Sequence, residues 1–168
     1  MKLLDRTGYK PDSFARASLA DIAGSETPLV PLAELAGALA QANGQIGVEI
    51  PNTATVVELE PHFERLSLIA IAFPGFGDGR GFSIARRLRR AGYTGTLRAV
   101  GPLIADQFAY ALACGFDEIE LPDASADRQP AAQWSKAETI VSSGYQRGYQ
   151  RGSILDQRRA ARKATGNV

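Results

Sequence analysis

Residues 68–73 read LIAIAF, a continuous apolar run closed by Pro74. A strand of this kind has no polar face to offer water, so it must lie in a sheet covered on both sides. The neighbouring segments supply the covering. Pro31 to Ala42 reads as a helix, with Pro31 in its first turn, Leu32, Leu35, Ala36 and Leu39 on one stripe, and Asn43-Gly44 as a stop. Gln45 to Ile50 reads as a strand ended by Pro51, and 55–66 fits a strand or, in its second half, a short helix. After the apolar run come a helix from about Gly81 to Ala91, a strand from Thr96 to Val100, a helix opened by Gly101-Pro102 and closed by Gly115, and a strand from Phe116 to Leu121. Strands alternating with helices at this spacing predict an α/β fold: one domain over residues 1–122, with a mostly parallel sheet built from consecutive βαβ units. Residues 1–27 carry no clear period and are expected to be irregular, with room for a short hairpin.

Beyond Pro122 the composition changes. Residues 123–132 are rich in Asp, Ala, Ser and Pro and read as a linker, and Trp134 to Val141 as a short docking helix. YQRG is repeated at 145–148 and 149–152, and Ile154 to Ala164 has the charge of a basic tail. From Tyr145 onward six basic residues face only Asp156, whereas the preceding residues carry 13 basic and 17 acidic side chains. An acidic body with a basic tail does not suggest a nucleic-acid-binding domain, and no recognition motif is legible. No apolar run approaches the roughly 20 residues of a membrane span. One cysteine in 168 residues excludes an internal disulfide and any cysteine-only metal site. The expectation is a cytoplasmic domain without membrane partners.

The stretch with most chemical content is FPGFGDGRGFSIARRLR, residues 73–89. It follows the buried strand and opens a helix, the place where α/β proteins put ligands. Gly77, Gly79 and Gly81 leave backbone N–H groups unobstructed, and a helix start adds positive potential, a combination suited to an anion. Arg80, Ser83, Arg86 and Arg90 fall on one helix face, with Phe82, Ala85 and Leu88 turned to the core. The spacing matches neither the dinucleotide fingerprint nor the P-loop. A purely local reading competes: glycines supplying positive φ, with Asp78 capping the helix. Arg98, read as ending a strand, and Asp106 and Gln107, in the first turn of the next helix, are candidates for the same rim. Together these groups would suit a small oxyanion such as sulfite, sulfate or phosphate. For Asp106 the alternative is ordinary stabilisation of a helix start.

Three motifs in order, FPGFGDGRGFSIARRLR, GTLRAVGPLIADQF and CGFDEIEL, resemble an uncharacterised bacterial family described as probable oxidoreductases of sulfite reduction, encoded beside assimilatory sulfite reductase. The resemblance covers about Pro31 to Leu121. Its D-G-R-G-[FY]-S stretch falls on Asp78, Gly79, Arg80, Gly81, Phe82 and Ser83, its L-R-A-x-G stretch on Leu97, Arg98, Ala99 and Gly101, and its D-Q pair on Asp106 and Gln107. It implies a role in sulfur assimilation, with sulfite reductase as a partner, and names no cofactor or catalytic residue.

The other reactive residues offer little. His62, the single histidine, sits in PHFER and reads as a surface residue; Cys114 reads as a buried thiol, with Asp117 and Glu118 opposing the low pKa that redox cysteines need. Trp134, Tyr145 and Tyr149 read as docking residues for the tail. No metal constellation, Ser-His-Asp triad or flavin signature is present. Two classes of function stay open: an enzyme acting on a sulfur oxyanion with a borrowed electron source, and a non-catalytic module that binds an anion or a protein partner.

Overall fold

A computed structural model describes residues 1–140. In chain order its elements are β1 (Lys2–Asp5), β2 (Gly8–Lys10), β3 (Ala15–Arg16), β4 (Pro28–Pro31), α1 (Leu35–Gln41), β5 (Ile46–Ile50), β6 (Leu66–Ala72), α2 (Arg80–Arg90), β7 (Thr96–Val100), α3 (Phe108–Cys114), β8 (Glu118–Leu121), α4 (Asp123–Arg128) and α5 (Ala131–Ile140). The strands form one eight-stranded sheet in the order β2-β1-β8-β7-β6-β5-β4-β3. From β3 to β8 neighbouring strands are parallel, while β1 pairs antiparallel with both β8 and β2.

The α/β class therefore stands, but the sheet is mixed, and the expected regular series of βαβ units is corrected in two respects. The N-terminal 27 residues contribute three strands. Their shortness, four residues or fewer, leaves no alternation long enough to read. The β3–β4 and β5–β6 connections hold only short 3-10 turns, Ile22–Gly24 in the first and Val56–Glu58 with Glu60–Arg65 in the second. The ambiguous 55–66 segment is thus neither a strand nor an α-helix until Leu66 begins β6.

The predicted linker is also corrected. Residues 123–128 form α4, started by Pro122 with Asp123 in the first turn, and bury Ser125 and Ala126. Gln129 then ties the segment down: its side chain accepts from the Ala105 N–H (2.8 Å) and donates to the Leu103 carbonyl (3.2 Å). Trp134 of α5 is fully buried, edge-on to Phe108, and its indole N–H donates to the Gln129 carbonyl. The YQRG repeat, Tyr145, Tyr149 and the basic segment lie outside the described residues.

Strands laid down in sequence with crossovers of one hand put every helix on the same side of the sheet. The packing has that form. Leu35 and Ala38 of α1, Phe82, Ala85 and Leu88 of α2, Phe108 and Ala111 of α3, Ala126 and Trp134 share one core with Val30, Val48, Ile69, Ile71, Leu97, Ala99 and Ile119. The alternate strand residues Leu29, Leu68, Ala70 and Val100 form a second, small cluster against which, among the described residues, the partly buried Phe14 packs.

This helix-free face is concave. The chain passes from β2 at one edge to β3 at the other through only Pro11–Phe14. Five Cα steps reach at most about 18 Å, whereas seven strand spacings of a flat sheet span about 34 Å. The sheet must curl until its edges approach. Arg16 of β3 accordingly bonds Glu120 of β8, on the far side of the curl, at 2.7 and 3.1 Å.

Candidate functional site

β4 to β7 are parallel, so the segments that follow Pro31, Ile50, Ala72 and Val100 gather on one rim. The glycine loop occupies it. A turn closed by the Asp78 N–H to the Gly75 carbonyl (3.0 Å) leads into α2. The Asp78 carboxylate accepts from the Arg80 N–H (3.2 Å), from Arg80 Nε (3.0 Å) and Nη2 (2.7 Å), and from Nδ2 of the buried Asn52 (2.7 Å). These bonds, those from the Arg80 side chain foremost, hold the Asp78 carboxyl far below the usual carboxylate range. Asp78 does serve the start of α2, from one residue before the cap position, which is Gly79. Gln107 pins the loop from the other side, donating to the Phe76 carbonyl (2.7 Å) and accepting from the Ile104 N–H (3.2 Å).

The glycines are not the positive-φ hinges expected of them: the positive-φ glycines among the described residues are Gly8, Gly92, Gly101 and Gly115. Nor do they share one role. A Cβ on Gly81 would collide with the Phe73 ring, so Gly81 lets α2 sit down on that ring. Nothing lies near a Cβ on Gly75 or Gly77. Between them Phe76 stands 61% exposed.

The predicted residues divide between two places. Gly77, Asp78, Gly79, Arg80, Gly81 and Gln107 meet at the rim; Ser83 and Asp106 are exposed on adjoining helical turns. Arg98 does not join them, and the predicted pooling of two cations, two carboxylates and a glycine nest around one cleft is corrected. It lies mid-strand in β7 with its side chain 1% exposed on the concave face. There it donates to Glu118 (2.7 Å), Glu120 (3.1 Å) and, through both terminal nitrogens, Asp12 (2.7 Å each). Burial works against its charge, but these carboxylates more than restore it and raise its pKa. Arg16 continues the network from Glu120 to Glu49 (3.0 Å), and Lys10 adds bonds to Glu118 (2.8 Å) and Asp5 (3.0 Å). No buried side-chain nitrogen or oxygen lacks a partner among the described residues.

Beside this network, where β4–β6 end, the concave face opens into a cavity of about 570 Å³ lined by Arg16, Leu29, Glu34, Glu49, Pro51 and Ala72, among others. Sequence reading missed Asp12, Arg16, Glu49 and Phe76. One signal was available: Arg98, Glu118 and Glu120 punctuate strands that otherwise read as buried, and buried charges come paired. Cys114 is buried and His62 half-buried, neither near the rim network by any bond. Among the described residues no group of His, Cys, Asp or Glu has the makings of a metal site. No helix among them is long and apolar enough to cross a membrane.

A family model described as a bacterial protein of unknown function (DUF934) matches residues 47–155, more than half of the chain. The chain belongs to the DUF934 family. No curated protein and no solved structure matches it. The DUF934 match begins inside β5, so it takes in the glycine loop, Arg98, Gln107, Glu118 and Glu120, while Asp12, Arg16 and Glu34 precede it.

Proposed function

We propose that this DUF934 protein is an accessory component of assimilatory sulfite reduction that works by docking sulfite reductase on the glycine-loop rim. The sulfur-assimilation setting rests on the resemblance carried by its three motifs. The docking reading rests on Phe76: a large apolar side chain held in water by a loop whose backbone is anchored at Gln107 and Asp78. Exposed Ile104 lies across the Gln107 bridge from it, and Tyr110 is half exposed under the Arg86 guanidinium. Arg86, Arg87 and Arg90 are exposed on α2 alongside. Aromatic and arginine side chains at the centre of a patch are what protein interfaces favour. Open space at the Gly75 and Gly77 Cβ positions lets a partner backbone approach closely.

A second reading, binding of a small oxyanion, draws on Arg80, whose side chain is 60% exposed and uses one edge for Asp78. Complementation separates the two readings. A deletion strain grown on sulfate as sole sulfur source is supplied with the Phe76→Ser or the Arg80→Ala protein, and each purified variant is tested for capture of sulfite reductase. Loss of growth and of capture with Phe76→Ser alone supports docking. Normal growth with Phe76→Ser and failure with Arg80→Ala would replace it with the oxyanion reading.

A further inference from the structure

We infer that the cavity on the concave face is a binding site for a small amine: a monocation with a compact apolar or aromatic body. This inference stands apart from the docking surface, which uses the outer side of the rim.

The apolar part follows from the walls. Ala17, Leu29, Pro31, Ile50, Pro51 and Ala72 enclose a space of about 570 Å³, within the range of sites for small organic ligands. It exists because the curl brings β3 over the sheet while Phe14 fills only the middle of the concave face, packing on Gly47 and Leu29. Small side chains at 17 and 72 leave the end of the strands unfilled.

The charge follows from which polar atoms are already engaged. Arg16, the cation in the wall, gives Nε to Glu49 and both terminal nitrogens to Glu120. Glu49 and Glu34 each use only Oε2, for Arg16 and for the Leu19 N–H respectively. Their Oε1 atoms have no hydrogen bond among the described residues. The cavity therefore offers two open carboxylate oxygens and a guanidinium already facing two carboxylates. An ammonium group would satisfy those oxygens; an anion would meet a lining in which two carboxylates outnumber the one guanidinium.

The test uses the full chain, isotopically labelled, titrated with benzylamine, benzyl alcohol and benzoate while amide resonances are followed. Benzylamine should shift amides around Gly47, Glu49 and Ala72, and bind about tenfold more tightly than the neutral alcohol, the worth of one charge-assisted bond. Glu49→Gln keeps an acceptor for Arg16 and should erase most of that preference; if this variant does not fold, Glu34→Gln asks the same question. Ala72→Leu fills the space without touching a charge and should abolish binding of both ligands. Benzoate binding as tightly as benzylamine, shifts confined to other surfaces, no binding of benzylamine, or unchanged binding to the Ala72→Leu protein would each overturn the assignment.

Discussion

Arg80 and Arg98 share a residue type and an ion-paired state, and differ in everything that follows from burial. Arg80 holds Asp78 at an exposed rim, where an ion pair contributes little because water competes for both charges. Arg98 is enclosed, and three carboxylates depend on it. Replacing it by methionine would preserve the apolar stem, take from Asp12 the guanidinium that binds it, and leave the buried Glu118 and Glu120 with only Lys10 and Arg16 as counter-charges. The expected cost is about 3–5 kcal/mol, the size found when one partner of a buried pair is removed. Denaturant unfolding would read it as a lowered midpoint at an unchanged slope. Arg80→Ala should leave the same midpoint in place. If both substitutions shift it equally, burial is not what distinguishes the two sites.

Among the elements, those with a long apolar period were legible and those held by a few distant contacts were not. β6, α2 and β7 lie where LIAIAF, the Phe82-Ala85-Leu88 stripe and TLRAV place them. β1 and β2 occupy the room left for a short hairpin, but strands of two to four residues carry no alternation to define them, and β1 takes its place in the sheet from β8, far along the chain. The candidate rim was legible where it is local, since Asp78 and Arg80 bond each other two residues apart, and Gln107 reaches the same loop from the next crossover by its bond to the Phe76 carbonyl. The concave network was hidden, since only the curl brings Asp12 and Arg16 to Arg98 and Glu120. α4 was obscured by an Asp-, Ala-, Ser- and Pro-rich composition that resembles a linker, whereas the docking helix read from Trp134 onward falls within α5, which starts three residues earlier. Trp134 makes their attachment measurable. Trp134→Ala should destabilise the domain by about 3–5 kcal/mol, the range for emptying a fully buried aromatic site. A shift in unfolding midpoint worth well under 1 kcal/mol would mean that α5 contributes little to holding the domain together.

For the molecule as a whole, the concave network contributes to the response to pH at both ends of the scale. Burial tends to raise the Asp12 carboxyl, but the bonds from Arg98 and the Phe14 N–H outweigh it and leave the group below its usual value. Asp5 is lowered likewise, against its burial, by Thr7 and Lys10. A depressed carboxyl contributes stability that is complete above its unfolded pKa of about 3.9 and is lost as pH falls through the folded value. Lys10 runs the opposite way: burial lowers it, Glu118 and Asp5 raise it further, and its contribution is complete below about pH 10.4 and lost above. Stability should therefore be level between about pH 5 and 9 and fall on either side. Asp12→Asn should lower the plateau and shorten the acid limb; an acid limb identical to wild type would remove Asp12 from the account.

The antiparallel pairing of β1 with β8 also has a consequence in time. Lys2 bonds Asp127, 125 residues further along the chain, and Leu3 pairs with Glu120. At about 5–20 residues per second of synthesis, the first strand waits roughly 6–25 s for its partner. During that wait β4 to β7 can assemble in the order they emerge, each beside its predecessor, while the opening hairpin has no edge to join. β1 and β2, made before the strand they join, are thus among the last to find their place, and the concave network, with Asp12 and Arg16 on one side and Glu118 and Glu120 on the other, closes only as that hairpin docks.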